Sequence, residues 1–199
     1  MIYQDVIIPI NSIKNNINMN KTNNNKSDFS EGILKGRMAE TLVEELFKKS
    51  GNTVYRFGYE AVLQNLVQLE RKFDRDSEVG QRIRAIPDFI VINKDGEPSF
   101  VEVKFRWNGE LTKDDFSRIE KIEKFWNSPI LMVNCKEKPY FKIAMPPYFD
   151  SDKKLITKPL IEFDDWKIDP TTYKEAENLV EKYLAPTMKV TGDIVFGSF

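Results

Sequence analysis

The segment Asn93-Lys94-Asp95-Gly96 separates two apolar runs, and it constrains the fold of this chain more than any other feature. Asparagine at the first position and glycine at the fourth are typical of a type I turn that closes with a left-handed residue, the pattern of a three-residue hairpin loop. With residues 94–96 as the loop, Asp88 lies opposite Glu102, and Lys104 follows on the same face. A two-residue loop would shift the pairing and turn the second strand's acid and lysine to the other face.

The two acids and the lysine of this hairpin have a chemical use as a set. Two carboxylates at hydrogen-bond distance repel each other unless a cation lies between them, and oxygen ligands suit Mg²⁺ or Mn²⁺ better than zinc. The backbone carbonyl of Val103 is placed to be a third ligand. Such an ion polarises a phosphoryl oxygen, while a neighbouring lysine orients the attacking water. The alternative is an ordinary cross-strand ion pair, because an acid two residues before a lysine also occurs elsewhere in the chain.

Composition limits both the chemistry and the environment. The chain has 199 residues, a single cysteine and no histidine, so carboxylates and lysine must carry any acid–base or metal chemistry. One cysteine excludes an internal disulfide, and no apolar run approaches the ~20 residues that span a bilayer. We therefore expect a cytoplasmic protein with no membrane partner. With 30 basic and 31 acidic residues the formal charge is -1, so any surface that binds nucleic acid must be local.

Hydrophobic spacing and capping residues predict the order of the elements. Thr112 and Asp115 have the form of a capping box, and the strand–helix–strand order around them predicts a parallel crossover. The first helix has a core stripe that includes Leu34, Met38, Leu42 and Leu46. The predicted elements are a strand at Val6–Ile10, an Asn- and Lys-rich arm, a helix at Ser30–Gly51, a strand at Thr53–Phe57, a helix at Val62–Phe73, an aperiodic charged connection at Arg71–Gln81, the hairpin, a helix at Thr112–Trp126, strands at Ile130–Cys135 and Tyr140–Ala144, and a helix capped by Asp169-Pro170.

These motifs resemble those of the PD-(D/E)xK nuclease superfamily, which has the restriction-endonuclease-like fold. Pro87-Asp88 and Glu102-Val103-Lys104 match its two signature elements, and Gly36-Arg37-Met38-Ala39-Glu40 is similar to its first-helix motif. Over about residues 30–135 the order of elements is most similar to small Holliday-junction-resolvase-like nucleases. The resemblance implies an α/β fold, a mixed central β-sheet flanked by helices with an αβββαβ core. It also implies Glu40, Asp88, Glu102 and Lys104 as catalytic residues, with Mg²⁺ or Mn²⁺ held by Asp88, Glu102, Val103 and Glu40.

The resemblance and the flanking segments together divide the chain into three predicted parts. We expect an N-terminal strand and arm at residues 1–29, the nuclease core with a helical insertion at 60–85 over residues 30–145, and a C-terminal helical extension packed on the same domain at residues 146–199. A homodimer is expected, because cutting both strands of a duplex needs two sites related by symmetry. The helix near Glu60–Phe73 and the segment from Asp169 onward are the candidate dimer surfaces.

The function favoured by the sequence is a divalent-metal-dependent endonuclease that hydrolyses DNA, either structure-selective or of a defence or mobile-element type. Cations beside the site are expected to bind phosphates, since a metal site alone holds a polyanion poorly. These cations are Arg37, Arg82, Arg84, Arg106 and Lys113. Two alternatives stay open: a non-catalytic nucleic-acid-binding or assembly module on the same fold, and a nuclease that cleaves RNA.

Overall fold

The structure is a computed structural model that describes residues 31–58 and 74–185. Contacts divide the chain into two compact units, Met1–Arg37 and Met38–Phe199. The described residues of the first unit, 31–37, are helical. The strand predicted at Val6–Ile10 and the helix predicted at Val62–Phe73 lie outside the described residues.

A six-stranded mixed sheet with helices packed on it organises the second unit, as predicted. The strands follow one another in chain order across the sheet, and every described pair of neighbours is antiparallel except β3 and β4, which are parallel. The crossover prediction is therefore confirmed. The elements are α1 (31–49), β1 (Thr53–Arg56), α2 (Glu78–Arg84), β2 (Phe89–Ile92), β3 (Pro98–Phe105), α3 (Lys113–Trp126), β4 (Ile130–Val133), β5 (Phe141–Ala144), β6 (Lys158–Pro159), 3-10 turns at Leu160–Glu162 and Asp164–Trp166, and α4 (Pro170–Leu179), which continues as a π-helical turn (Val180–Leu184).

The β2–β3 hairpin has the predicted loop and register. Phe89 pairs with Val101, which confirms the three-residue loop. Asn93 organises that loop, because its carbonyl accepts a hydrogen bond from the Gly96 N–H at 3.0 Å and its Oδ1 accepts from two further backbone N–H groups at 3.0 and 2.9 Å. Gly96 has a φ of 86°, in the left-handed region that glycine tolerates best. Local turn chemistry therefore decides which residues of β2 and β3 face each other.

Gly96→Ala is expected to lower the free energy of unfolding by about 1–2 kcal/mol, the cost of a left-handed backbone for a residue with a Cβ. Crowding will not add to this loss, since no described atom lies within 4 Å of the position that a Cβ at residue 96 would occupy. Urea unfolding measures the change. Gly96→Asn is the control, because asparagine tolerates this conformation better. Equal losses in both variants would show that the backbone conformation is not the cause.

The two faces of the sheet are covered by different helices. Leu131 and Val133 of β4 join a core cluster with buried residues of α1 and of the C-terminal helix. Ile130 and Met132, which alternate with them, join a second cluster with Ile119 of α3. β4 is therefore buried on both sides, and any side chain of β3 that lies beside Ile130 or Met132 belongs to the face covered by α3.

Caps define two helix starts that the sequence predicts. Thr112 and Asp115 form the capping box of α3, and their reciprocal bonds satisfy N–H groups of its first turn. Asp169 caps α4, where its Oδ1 accepts a hydrogen bond from the Thr172 N–H at 2.7 Å. None of the helices in the described ranges is long and apolar enough to cross a bilayer.

Two sequence predictions are wrong in this part of the chain. Residues from Glu78 onward form α2, although an aperiodic connection was predicted as far as Gln81. A helix of seven residues is too short to show an apolar stripe, and its buried position is Gly80, where a Cβ would clash with the Asp74 carbonyl oxygen. Leu34 is 59% exposed, whereas the buried positions of α1 begin at Ala39. The regular spacing of apolar residues along α1 therefore extends beyond the part of the helix that packs into the core.

Candidate active site

The β2–β3 hairpin brings the predicted acids and lysine to the sheet face that α3 covers. One residue before the Phe89–Val101 pair, the same register would place Asp88 beside Glu102, and the electrostatic interaction between the two carboxyl groups agrees with that position. Across β4, Glu102 lies opposite Ile130 and Lys104 opposite Met132, the two residues that pack toward α3. The register therefore agrees with the predicted common face.

Asp88 contacts β3 through its side chain. Its Oδ2 accepts a hydrogen bond from the Val103 N–H at 2.8 Å. The N–H groups of Glu102 and Arg106 donate in the other direction, to carbonyls on the β4 side at 3.0 and 2.9 Å. Since backbone groups of alternate strand residues point to opposite neighbours, the Val103 carbonyl points to the side where Asp88 lies. This is the orientation that a metal-ligating carbonyl beside Asp88 needs.

Asp88 is electrostatically coupled to the other acids. Burial raises the pKa of its carboxyl well above the ordinary value, and the negative charges of Glu102 and Glu40 raise the pKa further. The Val103 N–H and Arg118 lower the pKa of Asp88, but they do not outweigh those effects. A bound cation would reverse this balance, because an opposite charge nearby favours the ionised carboxylate.

Glu102 is 2% exposed and has one oxygen satisfied and one not. Arg118 of α3 donates from Nε to Glu102 Oε1 at 2.7 Å and from Nη1 to the Arg84 carbonyl at 3.1 Å. The negative charge of Glu102 is the largest reason why the pKa of Arg118 is raised. Glu102 Oε2 is buried and accepts no hydrogen bond from the described residues. That oxygen has a free lone pair at the predicted metal position.

Lys104 and Arg106 share a buried acid on α3. Asp115 is 1% exposed, and its Oδ1 lies 2.8 Å from Lys104 Nζ. Arg106 donates from Nε to Asp115 Oδ2 at 2.6 Å and also contacts Oδ1 through Nη2. Burial opposes ionisation of Asp115, but the hydrogen bonds from Arg106, Lys104 and the Thr112 N–H outweigh it and hold the pKa far below the ordinary value. The start of α3 therefore holds the Lys104 ammonium in place.

Glu40 lies on α1, with its Oε2 3.9 Å from Arg56 Nη1 and its side chain 31% exposed. Its charge contributes to the raised pKa of Asp88, so the two carboxyl groups are electrostatically linked. α1 packs on the face of the sheet opposite to the one that α3 covers, so the role of Glu40 as a metal ligand, direct or through water, stays a prediction.

The predicted phosphate-binding cations occupy different environments. Arg106 is engaged by Asp115, and the guanidinium of Arg82 lies 5.7 Å from the centre of the Trp126 ring. Arg84 is exposed at the end of α2, and Lys113 is the exposed first residue of α3. Arg37 is exposed in the first compact unit. The main-chain carbonyl of Arg84 accepts a hydrogen bond from Arg118, the arginine that pairs with Glu102.

The donor chemistry of the site fits a hard divalent cation. Residues 31–58 and 74–185 contain no group of three or more acidic or cysteine side chains that could hold a metal ion as arranged. A smaller set is present: the buried free Oε2 of Glu102, the carboxyl of Asp88 and the carbonyl of Val103 are all oxygen donors of the kind that Mg²⁺ prefers. Arg118 holds the other oxygen of Glu102 and so competes with a cation for the charge of that residue.

Sequence reasoning did not find the two α3 residues that engage the acid and the lysine. Asp115 was predicted only as a cap, and Arg118 was not predicted to have a role. A signal was available, because both occur in the same three- and four-residue spacing as the buried Ile119 and Ile122. Charged residues within the apolar stripe of a helix need buried partners of opposite charge, and β3 supplies them.

No protein-family model matches the chain, and no curated protein matches it significantly.

Proposed function

We propose that this protein is a divalent-metal-dependent endonuclease that hydrolyses DNA phosphodiester bonds on a restriction-endonuclease-like fold. The observation that carries the proposal is the coupling of Asp88 to Glu102 on one sheet face, with the Glu102 Oε2 buried and without a partner. Lys104 lies two residues along the same strand. Two neighbouring acids whose negative charges oppose each other's ionisation are typical of a site that binds a cation or catalyses a reaction.

The residues have separable roles in this proposal. Asp88, Glu102 and the Val103 carbonyl would hold Mg²⁺ or Mn²⁺, with Glu40 as a ligand through water. When bound, such an ion polarises a phosphoryl oxygen and stabilises the leaving alkoxide. Lys104 donates a hydrogen bond to the attacking water or to a phosphoryl oxygen and offsets the charge that develops there.

Asp115 is a positioning residue in the same proposal. It contacts the Lys104 ammonium at 2.8 Å and is itself held by Arg106 and by the α3 cap. An ammonium on a four-carbon chain has many rotamers, and a fixed carboxylate reduces that freedom before the substrate arrives.

The order of the elements supports the finer fold assignment. A first helix, a hairpin with the acids at its open end, a crossover helix and a buried parallel strand occur in the order expected for the αβββαβ core. We further propose a cytoplasmic homodimer, because cleavage of both strands of a duplex needs a second site.

A cleavage assay over a panel of substrates tests the function. We expect Mg²⁺- or Mn²⁺-dependent cleavage of duplex, single-stranded or branched DNA, none in EDTA, and a loss of about a hundredfold or more in Glu102→Gln and in Lys104→Gln. Lys136→Gln, at an exposed lysine after β4, is the matched control for loss of one charge. Thermal unfolding of each variant must show a folded protein. Equal cleavage by all three variants would contradict the assignment.

One observation favours a second candidate, a non-catalytic nucleic-acid-binding or assembly module. Arg118 neutralises Glu102 and Asp115 neutralises Lys104, so each of these two residues already has a partner of opposite charge. Binding of nucleic acid without cleavage under any metal condition would support that module. An RNA arm in the same panel distinguishes a ribonuclease from a deoxyribonuclease.

A further inference from the structure

A pocket of about 310 Å³ opens beside the candidate active site, and its lining comes from the end of α2 and from α3. Its lining residues are Arg84, Ala85, Asp114, Ser117, Arg118 and Lys121. Arg118 connects the pocket to the active site, because the same guanidinium donates to Glu102 Oε1. A ligand in the pocket would therefore contact the residue that neutralises the buried acid.

The lining carries positive charge that the described part of the chain does not neutralise. Three of its side chains are cationic, and Asp114 is its one acid. Arg118 pairs with Glu102, whereas no described carboxylate lies within ion-pair distance of Arg84 or Lys121. The Ser117 hydroxyl supplies a further hydrogen-bond donor. Uncompensated cations around a concave surface are the chemistry that binds phosphate.

We propose that this pocket binds an internal phosphodiester group of a nucleic-acid strand. The assignment rests on the proposed function for the identity of the polyanion, and it adds the residues that hold the strand beside the acids. Arg84 and Lys121 supply the charge, while Ser117 and the remaining N–H groups of Arg118 supply directed hydrogen bonds. Asp114 lowers the net charge of the lining, so a singly charged phosphodiester fits better than a doubly charged terminal phosphate.

The phosphate contact also has a consequence for Glu102. A phosphate in the pocket attracts Arg118, which in the structure donates to the carboxylate of Glu102 at 2.7 Å. Sharing the guanidinium between the two anions leaves more of the Glu102 charge available to a cation. Arg118 is therefore a positioning residue that links strand binding to the state of the buried acid.

Strand binding without metal tests the pocket independently of catalysis. Fluorescence anisotropy in EDTA measures the Kd of a labelled single-stranded oligonucleotide and of its duplex for the wild type, Arg84→Gln and Lys121→Gln. Each substitution is expected to raise Kd roughly fivefold to tenfold. It should also reduce the slope of log K against log salt by about 0.7–0.9, the value for one lost phosphate contact. Lys136→Gln is the charge-matched control outside the lining, expected to change Kd less than about twofold.

The arms of this experiment separate the possible results. The proposal that the pocket binds a phosphodiester fails if Arg84→Gln and Lys121→Gln bind as tightly as Lys136→Gln. It also fails if the wild type binds neither oligonucleotide. A 5′-phosphorylated oligonucleotide should bind like the unphosphorylated one. If the 5′-phosphate lowers Kd tenfold in the wild type but not in Lys121→Gln, the pocket binds a terminal phosphate and not an internal phosphodiester. If the pocket variants weaken binding but no metal supports cleavage, the pocket stands and the proposed reaction fails.

Discussion

Asp88→Asn is expected to stabilise the metal-free protein at neutral pH and to abolish metal-dependent cleavage. Burial and the charges of Glu102 and Glu40 raise the pKa of Asp88 in the folded state. An acid with a raised folded-state pKa contributes its full stability below its unfolded-state pKa and loses that stability as pH rises through the folded-state value. Asparagine cannot ionise, so the variant escapes this loss while it also lacks the charge that binds a cation.

Thermal unfolding in EDTA from pH 4 to pH 8 measures the first effect. The Tm of the wild type should fall relative to Asp88→Asn as pH rises, by about 2–4 °C for each kcal/mol of free energy lost. Mg²⁺ should raise the Tm of the wild type and not that of the variant. The cleavage rate of the variant should fall at least about a hundredfold, because a bound metal ion stabilises the transition state by several kcal/mol.

The matched control for this prediction is Asp152→Asn, at an exposed aspartate in the turn before β6. It should leave Tm, its pH dependence and cleavage unchanged. A variant Asp88→Asn that is less stable than the wild type at pH 8 would contradict the prediction that ionisation of Asp88 costs stability. Gain of stability with loss of activity is the opposite result and is typical of functional sites.

Asp115→Asn is expected to destabilise the protein by about 3 kcal/mol at neutral pH, because it leaves Lys104 and Arg106 without their shared counter-charge. The pKa of Asp115 is lowered in the folded state by those two cations against the effect of burial. Stability from such a group is present above its unfolded-state pKa and is lost as pH falls through the folded-state value. The difference between variant and wild type should therefore shrink in acid.

Chemical denaturation at pH 7 and at pH 3 measures this difference. Asp114→Asn is the closest control, because it removes a neighbouring acid from the same helix turn while leaving the Lys104 contact intact. It should cost less than about 1 kcal/mol, the value of an acid near a helix N-terminus. Equal losses in the two variants would mean that Asp115 acts only on the helix and not on the lysine.

Loss of the counter-charge also has a kinetic consequence under the proposed function. Lys104 would no longer be held at the start of α3. In folded Asp115→Asn the turnover rate should therefore decrease by a larger factor than KM increases. Glu120→Gln, which removes an exposed acid of the same helix outside the pocket lining, should leave the turnover rate unchanged. This comparison separates a role in positioning the lysine from a role in stability.

Local chemistry explains most of the elements that sequence reasoning predicted correctly. Asn93 and Gly96 determine the loop of the hairpin through bonds within four residues, so the register of β2 and β3 needs no tertiary information. The Thr112 cap is local in the same sense. The α2 helix failed to appear in the sequence pattern because its buried position is a glycine, whose location depends on the close approach of Asp74.

The candidate site likewise has one part that the local sequence predicts and one part that depends on tertiary packing. The amino-acid sequence alone places Asp88, Glu102 and Lys104 on one face, because a strand alternates with a period of two and the turn sets its phase. Only the tertiary structure decides what lies across from that face. The packing of α3 on β3 and β4 brings Arg118 to Glu102 and Asp115 to Lys104, and these pairings determine the charge of the site. Such contacts join residues distant along the chain, and no local pattern specifies which charged side chains two packed elements will present to each other.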